Sequence, residues 1–173
     1  AANIWYGCNN LTDNMTFDGN NHVITYTGSS DWEGLFKPSN GVTCIIRNIK
    51  FVLDRSGVET EQGCILGTSH NSTYSVDNYD ITIQNCHVTG AGSINSNNSG
   101  GIVGKTFGRS SSRGNIINCS NSLEISGSLA GGIAAAFTKS VLIEYCYNTG
   151  KISGDGAGGI CGSSNGTSGV SED

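Results

Sequence analysis

A glycine-rich phrase that recurs along the chain limits the possible folds more than any other feature. It reads Gly-Cys-Ile-Leu-Gly at residues 63–67, Gly-Gly-Ile-Val-Gly at 100–104, Gly-Gly-Ile-Ala-Ala at 131–135 and Gly-Gly-Ile-Cys-Gly at 158–162. A looser copy, Glu-Gly-Leu-Phe, lies at 33–36. Repetition of this kind is the signature of an architecture built from stacked units.

A second phrase lies between the copies of the first. It reads Ile-Arg-Asn-Ile at residues 46–49, Ile-Gln-Asn-Cys at 83–86, Ile-Ile-Asn-Cys at 116–119 and Ile-Glu-Tyr-Cys at 143–146. The glycine phrase advances by 37, 31 and 27 residues, and the isoleucine phrase by 37, 33 and 27. The two phrases therefore belong to one unit whose connections shorten along the chain. A unit of about 27 residues with three short apolar patches is typical of one coil of a β-solenoid.

Equivalent positions of successive coils stack on one another when their strands pair in parallel. The first and last residues of the isoleucine phrase both point inward although they are three apart, which requires a bend between them. Asparagine tolerates the left-handed backbone of such a bend, and stacked amides bond one another. We therefore predict an asparagine ladder at Asn48, Asn85 and Asn118, which Tyr145 interrupts. The predicted inward ladders are Ile46, Ile83, Ile116 and Ile143, and Ile49, Cys86, Cys119 and Cys146.

Composition agrees with short strands and many tight turns. The chain has 26 Gly, one Pro and 13% charged residues, which is poor material for helices, while 36% hydrophobic residues argue against disorder. We predict an all-β fold, a right-handed parallel β-helix (β-solenoid) of about five coils, forming one domain over residues 1–173. Residues 17–166 form the coils and 167–173 a tail. Residues 1–16, with Trp5, Tyr6 and Leu11, form an N-terminal cap.

The ordered pair of phrases resembles the GLUG-motif repeats, a family whose units follow a Gly-Leu-x-Gly pattern. The resemblance spans about residues 17 to 166 and departs from the pattern at Ala134-Ala135-Ala136. It implies a parallel β-helix with a role at a surface, as in bacterial adhesins and surface proteins of large DNA viruses. It implies no catalytic residues.

The charge balance bears on the partners. A net charge of −5 with scattered basic residues argues against nucleic-acid binding. No apolar run is long enough for a membrane span, and the first residues do not read as a signal peptide, so we expect a chain that is soluble as given. If the protein is exported, its signal has been removed or lies outside this sequence. The ends of a β-helix are open sheet edges, which predicts a protein partner or self-stacking there. Surface carbohydrate is an alternative partner that the sequence neither favours nor excludes.

Seven cysteines raise the question of metals and disulfides. Their number is odd, three lie in a predicted inward ladder, and no Cys-x-x-Cys pair is present, so we expect buried free thiols, no metal and no cofactor. A disulfide that involves Cys8, Cys44 or Cys64 stays open.

For function, the sequence favours a non-catalytic structural or adhesive module that is extracellular or lies on a cell or virion surface. Its variable connections at residues 55–78 and 90–99 would make the contacts. The alternative is a carbohydrate-binding or carbohydrate-cleaving β-helix, with Trp32, Asp31 and Glu33 as the sugar platform, although a buried Trp32 fits the sequence equally well.

Asparagine sequons are candidate glycosylation sites. Asn71 lies in the longest connection and is the most accessible candidate, while the ladder position makes Asn118 a poor acceptor. In so Asn-rich a chain their number says nothing about export. The other candidates are Asn14, Asn97 and Asn165.

Overall fold

A computed structural model describes residues 9–54, 57–67, 78–108, 111–136 and 138–163. These residues form strands, bridges and turns, with no helix among them. The strands are β1 (Asn9–Asn10), β2 (Met15–Asp18), β3 (Val23–Tyr26), β4 (Phe36–Lys37), β5 (Thr43–Leu53), β6 (Asp80–Thr89), β7 (Ser93–Ile94), β8 (Arg113–Ile117), β9 (Ser120–Asn121), β10 (Glu124–Ile125), β11 (Val141–Glu144) and β12 (Tyr147–Asn148).

Parallel pairing between equivalent segments organises these strands. An eight-stranded sheet runs in the order β11-β8-β6-β5-β2, with β3 also on β5, β9 on β6 and β12 on β9. Two further sheets have two strands each, β1 with β4 and β7 with β10. All of these pairs are parallel. The all-β class expected from composition is therefore confirmed.

The glycine phrases pair through single parallel bridges. Gly63, Gly100, Gly131 and Gly158 are consecutive bridge partners, and so are the residues three positions after each of them. A Cβ at Gly100 would lie 2.0 Å from the Val103 carbonyl oxygen, and one at Gly131 would lie 1.9 Å from that of Ala134. Real Cβ atoms do not approach so closely, so these turns require glycine.

One hydrophobic cluster runs through the described part of the chain. Alternation along the long strands creates it: β5 and β6 direct every second side chain inward until the asparagine bend shifts the phase. Leu11 is buried. Strand β2 begins at Met15, inside the segment expected to be a cap, while Trp5 and Tyr6 lie outside the described residues.

Candidate functional site

The four isoleucines of the second phrase are register partners. Ile46 pairs with Ile83, Ile83 with Ile116, and Ile116 with Ile143. The first three side chains are fully buried, and Ile143, in the last unit, is partly buried. Each layer thus packs its isoleucine on those of its neighbours. Of the four, only Ile143 is partly exposed to solvent.

The neighbouring stack joins Ile49 to three cysteines. Ile49 is the register partner of Cys86. The Cys86 N–H donates to Cys119 Sγ at 3.4 Å, and the Cys119 N–H donates to Cys146 Sγ at 3.4 Å. The Cys146 thiol in turn donates to the Ile116 carbonyl oxygen at 3.4 Å. These sulfurs are therefore built into the contacts between layers.

The surroundings of Cys119 and Cys146 hold these two thiols in their protonated form. The Cys146 thiol lowers the pKa of Cys119, but the contact with Cys86 and burial outweigh it, and the pKa rises to about 12. Contact with Cys119, followed by burial, raises the pKa of Cys146. Protonated, buried thiols are poor nucleophiles and poor metal ligands.

Cys44 and Cys64, two of the three candidates for a disulfide, are free and buried. Burial, with the charges of Asp13 and Asp80, raises the pKa of Cys44 to about 11, and burial also raises the pKa of Cys64. Cys8 lies outside the described residues. Within them, no group of three His, Cys, Asp or Glu side chains could hold a metal ion.

The asparagine ladder has a definite direction. Asn118 Nδ2 donates to Asn85 Oδ1 at 2.8 Å, Asn85 Nδ2 to Asn48 Oδ1 at 3.1 Å, and Asn48 Nδ2 to Asp18 Oδ1 at 2.9 Å. The three asparagines have φ of 50°, 52° and 57°, in the left-handed region, and Tyr145 follows with φ of 54°. Each amide donates toward the N-terminal layer, where a carboxylate accepts the last bond.

Hydrogen bonds hold the Asp18 carboxylate in its charged form. The Asn48 amide, then the Asn20 backbone N–H and the Arg47 side chain at 2.9 Å lower the pKa of Asp18. The repeated phrase did not predict Asp18 as a member of this ladder, because Asp18 precedes the first copy of the phrase.

A second, shorter ladder at Asn121 and Asn148 was also missed. Asn121 Nδ2 donates to Asn148 Oδ1 at 2.8 Å, and both amides also bond the backbone two residues ahead, at Leu123 and Gly150. Asn121 is 1% exposed. Its sequence signal is the Cys-x-Asn spacing common to the last two units.

The residues of the possible sugar platform separate into buried and exposed. Trp32 is 3% exposed, packs against Tyr26 and Phe51, and donates its Nε1 hydrogen to the Cys64 carbonyl oxygen at 2.9 Å. Its ring face is therefore unavailable for stacking on a sugar. Asp31 and Glu33, on either side of it, are exposed.

The parallel bridge between Trp32 and Val58 brings a third carboxylate, Glu59, to this edge. Partial burial, then the charges of Glu33 and Asp31, raise the pKa of Glu59. Lys37 offsets part of the negative charge by pairing with Glu33 at 3.5 Å. We call this group of three interacting carboxylates, Asp31, Glu33 and Glu59, the acidic edge.

Two candidate glycosylation residues lie in the described part of the chain, and both are exposed. Asn14 Nδ2 donates to Asp13 at 3.0 Å, and Asn97 Oδ1 accepts from the Ser128 N–H at 3.3 Å. Asn71 and Asn165 lie outside the described residues.

Comparison of the chain with protein-family models, curated proteins and solved structures finds no match. Among the described residues, no helix has the length and apolar character to cross a membrane.

Proposed function

We propose that the chain is a right-handed parallel β-helix of about five coils, related to the GLUG-type repeats, and that it serves as a non-catalytic structural or adhesive module at an extracellular, cellular or virion surface. The register of the isoleucine ladder supports the architecture, since four units pair at equivalent positions. The spacing of the bridged glycines supports it independently.

The observation that most supports a structural role is that potentially reactive side chains form hydrogen bonds between layers. The Cys119 and Cys146 sulfurs accept hydrogen bonds from the backbone of the preceding layer. Contact with Cys86 and burial raise the pKa of Cys119 against the lowering effect of Cys146, and contact with Cys119 and burial raise the pKa of Cys146. The asparagine amides likewise bond one another. Groups that could do chemistry are used here to join layers.

Contacts in this proposal come from the connections, chiefly the exposed positions of residues 90–99, because the layers beneath them are fixed. The test coats beads with the full chain and measures their retention on a panel of cells, matrix proteins and polysaccharides. We expect saturable retention that Ala91→Lys reduces and that Ser29→Lys, at an exposed site elsewhere, leaves unchanged. Equal retention of both variants, or no retention of the wild type, would contradict an adhesive role.

The acidic edge supports a second candidate, a carbohydrate-binding or carbohydrate-cleaving protein. Glycoside hydrolysis uses two carboxyl groups, one of them an acid with a raised pKa. Here the pKa of Glu59 is raised, in part by the charge of Glu33. Reducing ends released from a polysaccharide panel by the wild type, and lost in both Glu33→Gln and Glu59→Gln, would favour this candidate over the first.

A further inference from the structure

The last unit carries an exposed apolar edge. Strand β11 ends the eight-stranded sheet. Of the six exposed large hydrophobic residues in the described part of the chain, four lie in this unit. They are Leu142 at 49%, Tyr145 at 81%, Tyr147 at 54% and Ile152 at 45% exposure.

In the described part of the chain, no strand pairs with β11 on the side away from β8. The Gly114 N–H donates to the Ser140 carbonyl at 3.3 Å and the Asn118 N–H donates to that of Glu144 at 2.9 Å, which shows which backbone groups face β8. Alternate residues of a strand direct their backbone groups to opposite sides, so Val141 and Ile143 direct theirs outward. Such an edge recruits another strand.

Charge argues against a second copy stacked head to tail in the same register. Register partners on successive strands form a row across the sheet. The row that ends at Glu144 begins at Asp18 and passes through Arg47, Gln84 and Ile117. Neighbours in this row interact, since Arg47 pairs with Asp18 at 2.9 Å. Strand β2 of a second copy placed in parallel on β11 would set Asp18 beside Glu144, and these like charges would repel each other.

An antiparallel arrangement reverses this result. Lys139 lies just before β11 and Glu144 is its last residue, and both are exposed. Pairing β11 with β11 of a second copy brings the Lys139 end of each strand to the Glu144 end of the other. In the register that places Leu142 opposite Leu142, Glu144 of one copy lies opposite Ser140 of the other and one position from Lys139, so the neighbouring charges at both ends are opposite.

We propose that two copies of the chain associate through this edge, with their β11 strands antiparallel about a two-fold axis near Leu142. In this register Val141 of each copy lies opposite Ile143 of the other, so outward-directed backbone groups meet and inward side chains stay inward. The exposed Tyr145 and Tyr147 add the amphipathic aromatic surface that protein interfaces favour. The inference rests on the strand edge, and its failure would leave the proposed surface role standing.

The test is sedimentation velocity of the full chain over a concentration series. We expect a dimer and no larger species. Glu144→Lys places like charges at both contacts and should raise the dissociation constant about 100-fold. The double variant Lys139→Glu/Glu144→Lys restores opposite charges and should return the dissociation constant to within about tenfold of the wild-type value.

The control variant is Val23→Glu, because Val23 is 58% exposed on the opposite edge and begins the row that ends at Tyr147. The variant should leave the dimer unchanged. A monomer at the highest soluble concentration would overturn the proposal. So would larger assemblies that Val23→Glu disrupts, since these require head-to-tail stacking. Circular dichroism and urea midpoints establish that each variant is folded, and Lys139→Glu alone replaces Glu144→Lys if the latter is not.

Discussion

Replacement of Asn85 by Asp tests the asparagine ladder at its middle rung with almost no change in shape. Asn85 donates to Asn48 at 3.1 Å, accepts from Asn118 at 2.8 Å, and has φ of 52°. Aspartate also tolerates the left-handed backbone, and its carboxylate still accepts from Asn118. It cannot donate to Asn48 while ionised, so two acceptor oxygens face each other. The lost bond and the unsatisfied oxygen should together cost about 2 kcal/mol at neutral pH.

Acid should reverse most of this loss. Protonation gives the new carboxyl group an O–H that can donate to Asn48, so the folded state favours the protonated form and the carboxyl pKa is raised above its unfolded value. A group with a raised pKa contributes stability that is present at low pH and is lost as pH rises through the folded-state pKa. At about pH 3 the cost of the substitution should therefore fall below about 0.5 kcal/mol.

Urea denaturation of Asn85→Asp and wild type at both pH values measures the difference, which removes the pH dependence common to both proteins. Asn21→Asp is the matched control, because Asn21 is also left-handed, with φ of 59°, but is exposed. It should change stability by less than about 0.5 kcal/mol. An equal cost of Asn85→Asp at both pH values would refute the donor role of the Asn85 amide.

Two further predictions concern the core and the acidic edge. Ile83→Ala, at a fully buried position within the isoleucine ladder, should destabilise by about 3 kcal/mol in urea denaturation, and Ile45→Ala, 37% exposed on the paired strand, by less than about 1 kcal/mol; similar costs would contradict the inward assignment. Glu33→Gln removes a negative charge beside Glu59 and should lower the raised pKa of that carboxyl toward its ordinary value. A raised carboxyl pKa makes the folded state lose stability as pH rises, so the variant should lose less unfolding free energy than the wild type between acid and neutral pH. An unchanged Glu59 titration in NMR would contradict this prediction.

Periodicity could predict the ladders because one copy of a phrase fixes the register of all the others. Ile46, Ile83 and Ile116 are each followed two residues later by asparagine, so their alignment needs no knowledge of the connections. The approach of Glu59 to Glu33 depends instead on a single bridge, Trp32 to Val58, between segments that share no phrase. Such contacts follow from the path of the connections, which composition and spacing leave undetermined.

The burial of Trp32 shows a second limit. Its contact with Phe51 and its bond to the Cys64 carbonyl come from the next unit, and only Tyr26 lies in its own, so the local sequence does not distinguish this buried ring from an exposed one. The ladder at Asn121 and Asn148 is different, because its Cys-x-Asn spacing is present in the sequence. It could have been found by aligning the last two units at every position.

The direction of the asparagine ladder explains why its two ends differ. Every amide donates toward the N-terminal layer, so the first rung must only accept, and the Asp18 carboxylate does so. A carboxylate at any inner rung would instead break the chain of donors, which is the basis of the Asn85→Asp prediction. At the other end Tyr145 takes the left-handed position without an amide, so the series of donors stops at Asn118. The polarity of the ladder thus explains the carboxylate at its N-terminal end from hydrogen-bond chemistry alone.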